Sequence, residues 1–255
     1  MAAPTHPAQR PRRPPPPSRG LSTGALAEEC LVVLSLSLLA SAVYAVISLT
    51  SAPVKGATVF VVPQVGLATQ LANFAFGLAP VWLVAYLVRR NGEGVGAIGL
   101  AWDRPRRDLV SGLVLFVIVG AAGIGIYLAS VALGVNRFVV PVPPLGHWWT
   151  VPVLFLNAAQ AALVEEMIVV GYLITRLQQL RVSEPAAVGA SALLRGAYHL
   201  YQGWGGFGGN LALGLFFGLF FTRTRRTWPL VVAHLLLDVG AGLGYILFRT
   251  HLPGS

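Results

Sequence analysis

The chain has 255 residues, of which 55% are hydrophobic and only 11% charged, and its mean hydropathy is +0.70. A soluble domain of this length does not need so much apolar surface for its core, so lipid rather than water is the expected solvent. The net charge of +9 does not point to nucleic acid, because such binders gather Lys and Arg on a soluble face with interleaved aromatics, and here the arginines sit between apolar runs.

Residues 1–24 carry the run Pro11 to Pro17, broken by two arginines, and have too few apolar groups to offset chain ordering, so they are expected to form a disordered cytoplasmic tail. A full-length apolar stretch follows instead of a short one with a small-residue cleavage site, which argues against a cleavable signal peptide. A spanning helix needs roughly 20 apolar residues to cross about 30 Å of hydrocarbon. Seven stretches qualify, at 27–49, 65–88, 109–134, 152–174, 185–203, 209–222 and 228–248. The expected fold is an all-α polytopic bundle of about seven spans, with eight the alternative. Residues 25–150 would form an N-terminal transmembrane part and 151–250 a catalytic core with its active site in a cavity among the C-terminal helices.

Within the first span, Glu28 and Glu29 read as an interfacial pair near a helix N-terminus. The single cysteine, Cys30, cannot form an intrachain disulfide and reads as a packing residue. The sixth span is short and glycine-rich, which predicts tilting, close packing through small residues, or a partly re-entrant course. The segment Gly203-Trp-Gly-Gly-Phe-Gly-Gly209 before it reads either as a tight outer loop or as an inlet for water or an extended substrate. With the N-terminus inside, the inner loops hold fourteen basic residues and the outer side only Lys55, Arg137 and Arg249, which is the positive-inside asymmetry of a cytoplasmic-membrane protein. Seventeen of the eighteen basic residues are arginine, read here as the codon bias of a high-GC bacterial genome.

Ionisable side chains inside a span are costly and mark function by default. The first three spans have none in their interiors. The fourth has Glu165 and Glu166, the fifth Arg195 and His199, and the seventh His234 and Asp238. Arg195 and His199 are four residues apart, as are His234 and Asp238, so each pair shares a helical face. Glu165 and Glu166 point about 100° apart. Two adjacent carboxylates in a low-dielectric site need a proton or a cation between them, and a poised carboxylate is a usable general base. The bland alternative is an ion-paired helix junction without catalysis.

These residues resemble the motifs of the CPBP family, the CAAX prenyl protease and bacteriocin-processing intramembrane peptidases, over about residues 152–245. The family's Glu-Glu-x-x-x-Arg, Phe-x-x-x-His and His-x-x-x-Asn/Asp motifs read here as Glu165-Glu-Met-Ile-Val-Val170, Arg195-Gly-Ala-Tyr-His199 and His234-Leu-Leu-Leu-Asp238. The resemblance implies an intramembrane endopeptidase in which Glu165 and His199 activate water while His234 and Asp238 stabilise the oxyanion. Val170 stands at the usual arginine position and Arg195 at the usual phenylalanine position, so Arg195 is expected to pair with Glu166 and leave Glu165 free. Asp238, acceptor-only when ionised, could instead orient His234. No cofactor is required by this scheme. A divalent metal such as zinc, held by Glu165, His199 and His234, stays open as the alternative.

The expected partners are the lipid bilayer and a membrane-embedded or membrane-anchored peptide substrate, with no nucleic acid. Cleavage of a true prenylated C-terminal motif is not expected in a bacterium, because that substrate is eukaryotic. The competing function is a catalytically silent scaffold or bacteriocin-immunity protein. A proton-coupled transporter lacks the inverted repeats and paired broken helices it would need.

Overall fold

The computed structural model describes residues 21–50, 59–60, 66–135, 138–139 and 142–248. Most of the expected tail, together with Lys55, Arg137 and Arg249, lies outside them. Helix α1 (Thr23–Ser35) begins inside the stretch assigned to the tail, because Ser22 caps it by accepting the Ala25 N–H on its Oγ at 3.2 Å. Its partner α2 (Leu38–Thr50) follows after a bend of 55° at Leu36–Ser37. Helices α3 (Leu67–Gly77) and α4 (Ala79–Arg90) form the next span, interrupted at Leu78. Pro80 brings no N–H there and so starts a new ladder rather than continuing the old one.

A 3-10 turn at Val95–Ile98 leads to α5 (Pro105–Ala132), whose outward residues, such as Leu109, Val110, Leu113, Val114 and Val117, are all exposed, as a lipid-facing helix requires. The core then comprises α6 (Thr150–Val164), a π-helical segment Glu165–Tyr172, α7 (Leu173–Gln179), α8 (Glu184–Tyr198), α9 (Trp204–Thr224) and α10 (Trp228–Phe248). Two two-residue strands, β1 (Val59–Phe60) and β2 (Phe138–Val139), pair in parallel with Val59 opposite Phe138. They do not alter the all-helical class.

Five of the described helices or continuous helical runs are long and apolar enough to cross a membrane, or six with the bent α1–α2 pair as one span, so the chain is a multi-pass membrane protein. The expected count of seven is not reproduced. Helix α8 has 15 residues, which at 1.5 Å each is about 22 Å, short of the roughly 30 Å of a bilayer core. The apolar stretch 185–203 overstates it because His199 already ends the helix and a 3-10 turn, Leu200–Gln202, follows. Helix α9 begins five residues earlier than expected, so the glycine-rich segment is the first turns of a helix rather than a loop. Gly203, at φ +93°, makes the turn into it.

The glycines of α9 serve close approach. A Cβ at Gly214 would lie 2.8 Å from the Ala192 Cα, and one at Gly218 would lie 2.8 Å from a Val188 methyl, so α8 and α9 meet backbone to backbone. Two apolar clusters meet at the π-helical segment. One joins Val33, Val84, Val88, Ile98, Ile168 and Tyr172, and the other joins Val170, Val188, Phe217, Phe221, Leu230 and Ala233. The π segment is thus the piece of chain on which the rest is assembled.

Candidate active site

Seven of the eight residues of the π segment, Glu166 to Tyr172, are buried. A π turn is rare and is found frequently at functional sites. Three contacts set its level against neighbouring helices. Ser191 of α8 donates its Oγ to the Val169 carbonyl at 2.7 Å. At the other end, a Cβ on Gly171 would lie 2.6 Å from the Ile98 carbonyl and 3.0 Å from Thr227 Oγ1, and the Thr227 N–H donates to the Gly99 carbonyl at 2.9 Å.

Taking Gly171 and Thr227 as one level, Glu165 is six residues away and His234 seven, so both stand about 9–10 Å from it at 1.5 Å per residue. Counting from span ends in the sequence gives depths that disagree by several ångström. The count fails because α7 runs about two turns beyond the start of α10. One helical turn beyond Ser191 stands Arg195, at the height of the two glutamates.

Arg195 is 1% exposed and Glu166 0%. Arg195 Nη1 donates to Glu166 Oε1 at 2.7 Å, and Nη2 lies 3.4 Å from Glu165 Oε2, so one guanidinium serves both carboxylates. Its Cζ also lies over the Phe217 ring, 5.6 Å from the ring centroid. His234 donates from Nδ1 to the same Glu166 Oε1 at 2.7 Å. A nitrogen that donates there cannot also accept from Arg195, whose Nη2 is 3.3 Å away, so that contact is proximity without a hydrogen bond. On the opposite side of the ring, His234 Nε2 stands 3.4 Å from Asp238 Oδ2. Glu166 is therefore fully committed to cations, apart from its buried and unpartnered Oε2.

Glu165 differs. Its side chain is 13% exposed, it borders a cavity of about 670 Å³, and it accepts the Tyr198 hydroxyl on Oε2 at 2.8 Å. Tyr198 was not singled out by sequence, although it lies within the Arg195–His199 motif, because an aromatic beside a catalytic-type residue reads as packing. His199 occupies the C-cap of α8 with its Nδ1 3.0 Å from the Arg195 carbonyl. A carbonyl only accepts, so Nδ1 carries the proton and Nε2 is left with its lone pair.

A metal would find three donors here. Glu165, Glu166 and His234 each offer one ligand atom, all within 4.8 Å of one another, and the third member is Glu166 where His199 was expected. The chemistry of the set is against it. Glu166 and His234 are hydrogen-bonded to each other, and the Arg195 guanidinium lies within 3.4 Å of a donor atom on all three residues. A fixed cation already supplies the charge that a metal would bring.

A second buried polar network lies at the far end of α7. Arg176, 1% exposed, donates to Glu93 Oε2 at 2.6 Å and lies 3.4 Å from Glu29 Oε1. Glu29 also accepts the Tyr172 hydroxyl at 2.8 Å and the Asn91 amide at 2.9 Å, and Gln179 donates to Glu93 at 2.7 Å. The Glu29 side chain is accordingly enclosed in this junction, whereas Glu28 is exposed. Between α9 and α10, Arg226 binds Asp103 and Asp108. Its hydrogen bond is the main cause holding the Asp103 carboxyl below the usual range. His147 stacks on Trp149 at 4.6 Å and stands apart from the site.

No curated protein and no solved structure matches the chain. Residues 147–240, rather more than a third of the chain, match the family model described as type II CAAX prenyl endopeptidase Rce1-like. That interval contains Glu165, Glu166, Arg195, Tyr198, His199, His234 and Asp238, so the matched segment is the one that carries the candidate site, consistent with the CPBP motifs it resembles.

Proposed function

We propose that this chain is an intramembrane endopeptidase that hydrolyses a peptide bond of a membrane-associated substrate with Glu165 as general base. The observation that carries the reading is the asymmetry of the two glutamates. Glu166 is sealed and ion-paired, while Glu165 faces a cavity with its charge only partly met by Tyr198 and Arg195. In this scheme Glu165 takes a proton from a water that His199 Nε2 helps to orient, and the water oxygen bonds to the substrate carbonyl carbon. The Nε2–H of His234, loosely held by Asp238 at 3.4 Å, turns to the oxyanion, with Asp238 orienting the ring rather than donating itself. Protonated Glu165 then delivers its proton to the leaving amine as the C–N bond breaks.

The catalytic unit is residues 151–250, carried by the N-terminal helices 25–150, in a bacterial cytoplasmic membrane with the N-terminus inside. The second reading, a silent scaffold or immunity protein, is favoured by one observation: Val170, at the family's arginine position, is buried among apolar side chains. The deciding experiment is cleavage of a quenched membrane-peptide library by purified wild type and Glu165→Ala, with bound zinc measured by elemental analysis. Cleavage lost in Glu165→Ala without stoichiometric zinc supports the proposal. Zinc at one per chain moves it to a metal mechanism, and no cleavage by wild type favours the scaffold.

A further inference from the structure

The cavity beside Glu165 is walled by three pieces of chain that the chemistry above does not use: the α1–α2 break at Ser37, the α3–α4 break at Gly77 to Pro80, and the face of α6 bearing Gln160. Its volume of about 670 Å³ lies in the range of roughly 300–1,000 Å³ typical of ligand sites. It reaches the surface of the bundle, where Phe76 on its rim is 79% exposed.

Interrupted helices at membrane depth are tolerated only where protein buries them or where they line a polar cavity, because each end leaves backbone groups without an intrahelical partner. Here two interruptions line the same cavity. Much of its lining is apolar, including Leu36, Leu38, Phe76 and Leu83, but Ser41, Gln160 and Glu165 place polar groups on one wall. The Gln160 amide lies close against the backbone of Gly77, where a Cβ would be 1.9 Å from Nε2, so glycine leaves room for it there. An acyl chain would suit the apolar part of this lining but offers nothing to the Gln160 amide or the Glu165 carboxylate. An extended peptide offers a donor and an acceptor at every residue.

We infer that this cavity seats an extended stretch of the substrate's peptide chain, with Gln160 as a positioning residue that hydrogen-bonds the substrate main chain on its way to Glu165. The inference rests on the endopeptidase reading for what happens at Glu165, but not for what fills the cavity.

The test uses the full chain in lipid nanodiscs with p-benzoylphenylalanine in place of Ser41, irradiated with the panel of single-span membrane peptides used for cleavage, adducts being identified by mass spectrometry. Peptide adducts are expected, reduced at least fivefold when Ala161→Phe fills the cavity. Phospholipid adducts alone, or no peptide adduct from any member of the panel, overturn the inference. In parallel, Gln160→Leu should raise KM about tenfold for cleaved peptides with kcat within twofold, and Gln160→Asn should recover part of it; a loss confined to kcat contradicts a positioning role. Peptide adducts without Glu165-dependent cleavage leave the cavity assignment standing and defeat the endopeptidase reading, whereas cleavage with lipid adducts only does the reverse.

Discussion

Replacing Arg195 with methionine tests whether the glutamate pair is held by this one cation. The substitution roughly keeps the apolar stem over Phe217 but deletes the guanidinium, leaving Glu166 at 0% exposure with His234 as its remaining partner and Oε2 still unpartnered. Removing one member of a buried pair costs about 3–5 kcal/mol, and the surviving 2.7 Å bond from His234 places Arg195→Met near the lower end, about 3 kcal/mol. At about 2–4 °C per kcal/mol for a chain of this size, the thermal midpoint in detergent should fall by about 6–12 °C. The loss comes from a stranded charge, so adding Glu166→Gln should recover at least half of it, while the double variant stays inactive toward peptides. A fall under about 2 °C, or a double variant no more stable than the single, would refute the idea that Arg195 neutralises a buried Glu166 carboxylate.

The apparent exchange of charge between positions 170 and 195 predicts reciprocal behaviour. Val170→Arg alone puts a guanidinium among Val188, Phe217, Leu230 and Ala233 and should yield aggregated protein by size exclusion in detergent, while Val170→Arg with Arg195→Phe should restore a monodisperse peak. A double variant as aggregated as either single sinks the exchange. Arg176→Met should strand Glu29 and Glu93 at a cost of about 3–5 kcal/mol and yet leave cleavage per folded molecule within twofold. A loss of kcat beyond tenfold would mean that the second network communicates with Glu165.

Much of the site is legible in the sequence because charge inside an apolar run is conspicuous. Glu165, Glu166, Arg195 and His234 stand out for that reason, and the structure brings them within hydrogen-bonding or ion-pairing distance of one another. Glu29 and Glu93 were not legible, since Glu29 lies close to the start of its apolar stretch and Glu93 in a connection, and their burial is produced by an arginine some 80 to 150 residues further on. Relative depth was not legible either. Hydropathy marks where a helix is apolar but not how far it slides past its neighbours, and the contact of Gly171 with Ile98 and Thr227 is a long-range packing event. The length of α8 was overstated because His199, Leu200 and Tyr201 are as apolar or aromatic as a helix interior, while the backbone there has already turned. The α9 glycines read as a loop for the opposite reason: in water such a run would resist helix formation, but close packing on Ala192 and Val188 outweighs that propensity.

The π-helical segment carries a further implication for how the two halves of its span are phased. Its i→i+5 bonding accommodates one residue more than an α-helix would at the same place, so everything before Glu165 is rotated relative to everything after Tyr172. Deleting a single residue between Met167 and Val169 would allow the ladder to anneal as α-helix, and α6 would then swing by about 100° about its axis. Asn157 would leave Gln70, Gln160 would leave the cavity wall and Glu165 would leave Tyr198, while α7 kept its grip on Glu93. Alignment of the polar groups on one half of this span with those on its neighbours is thus a matter of a single residue's worth of phase.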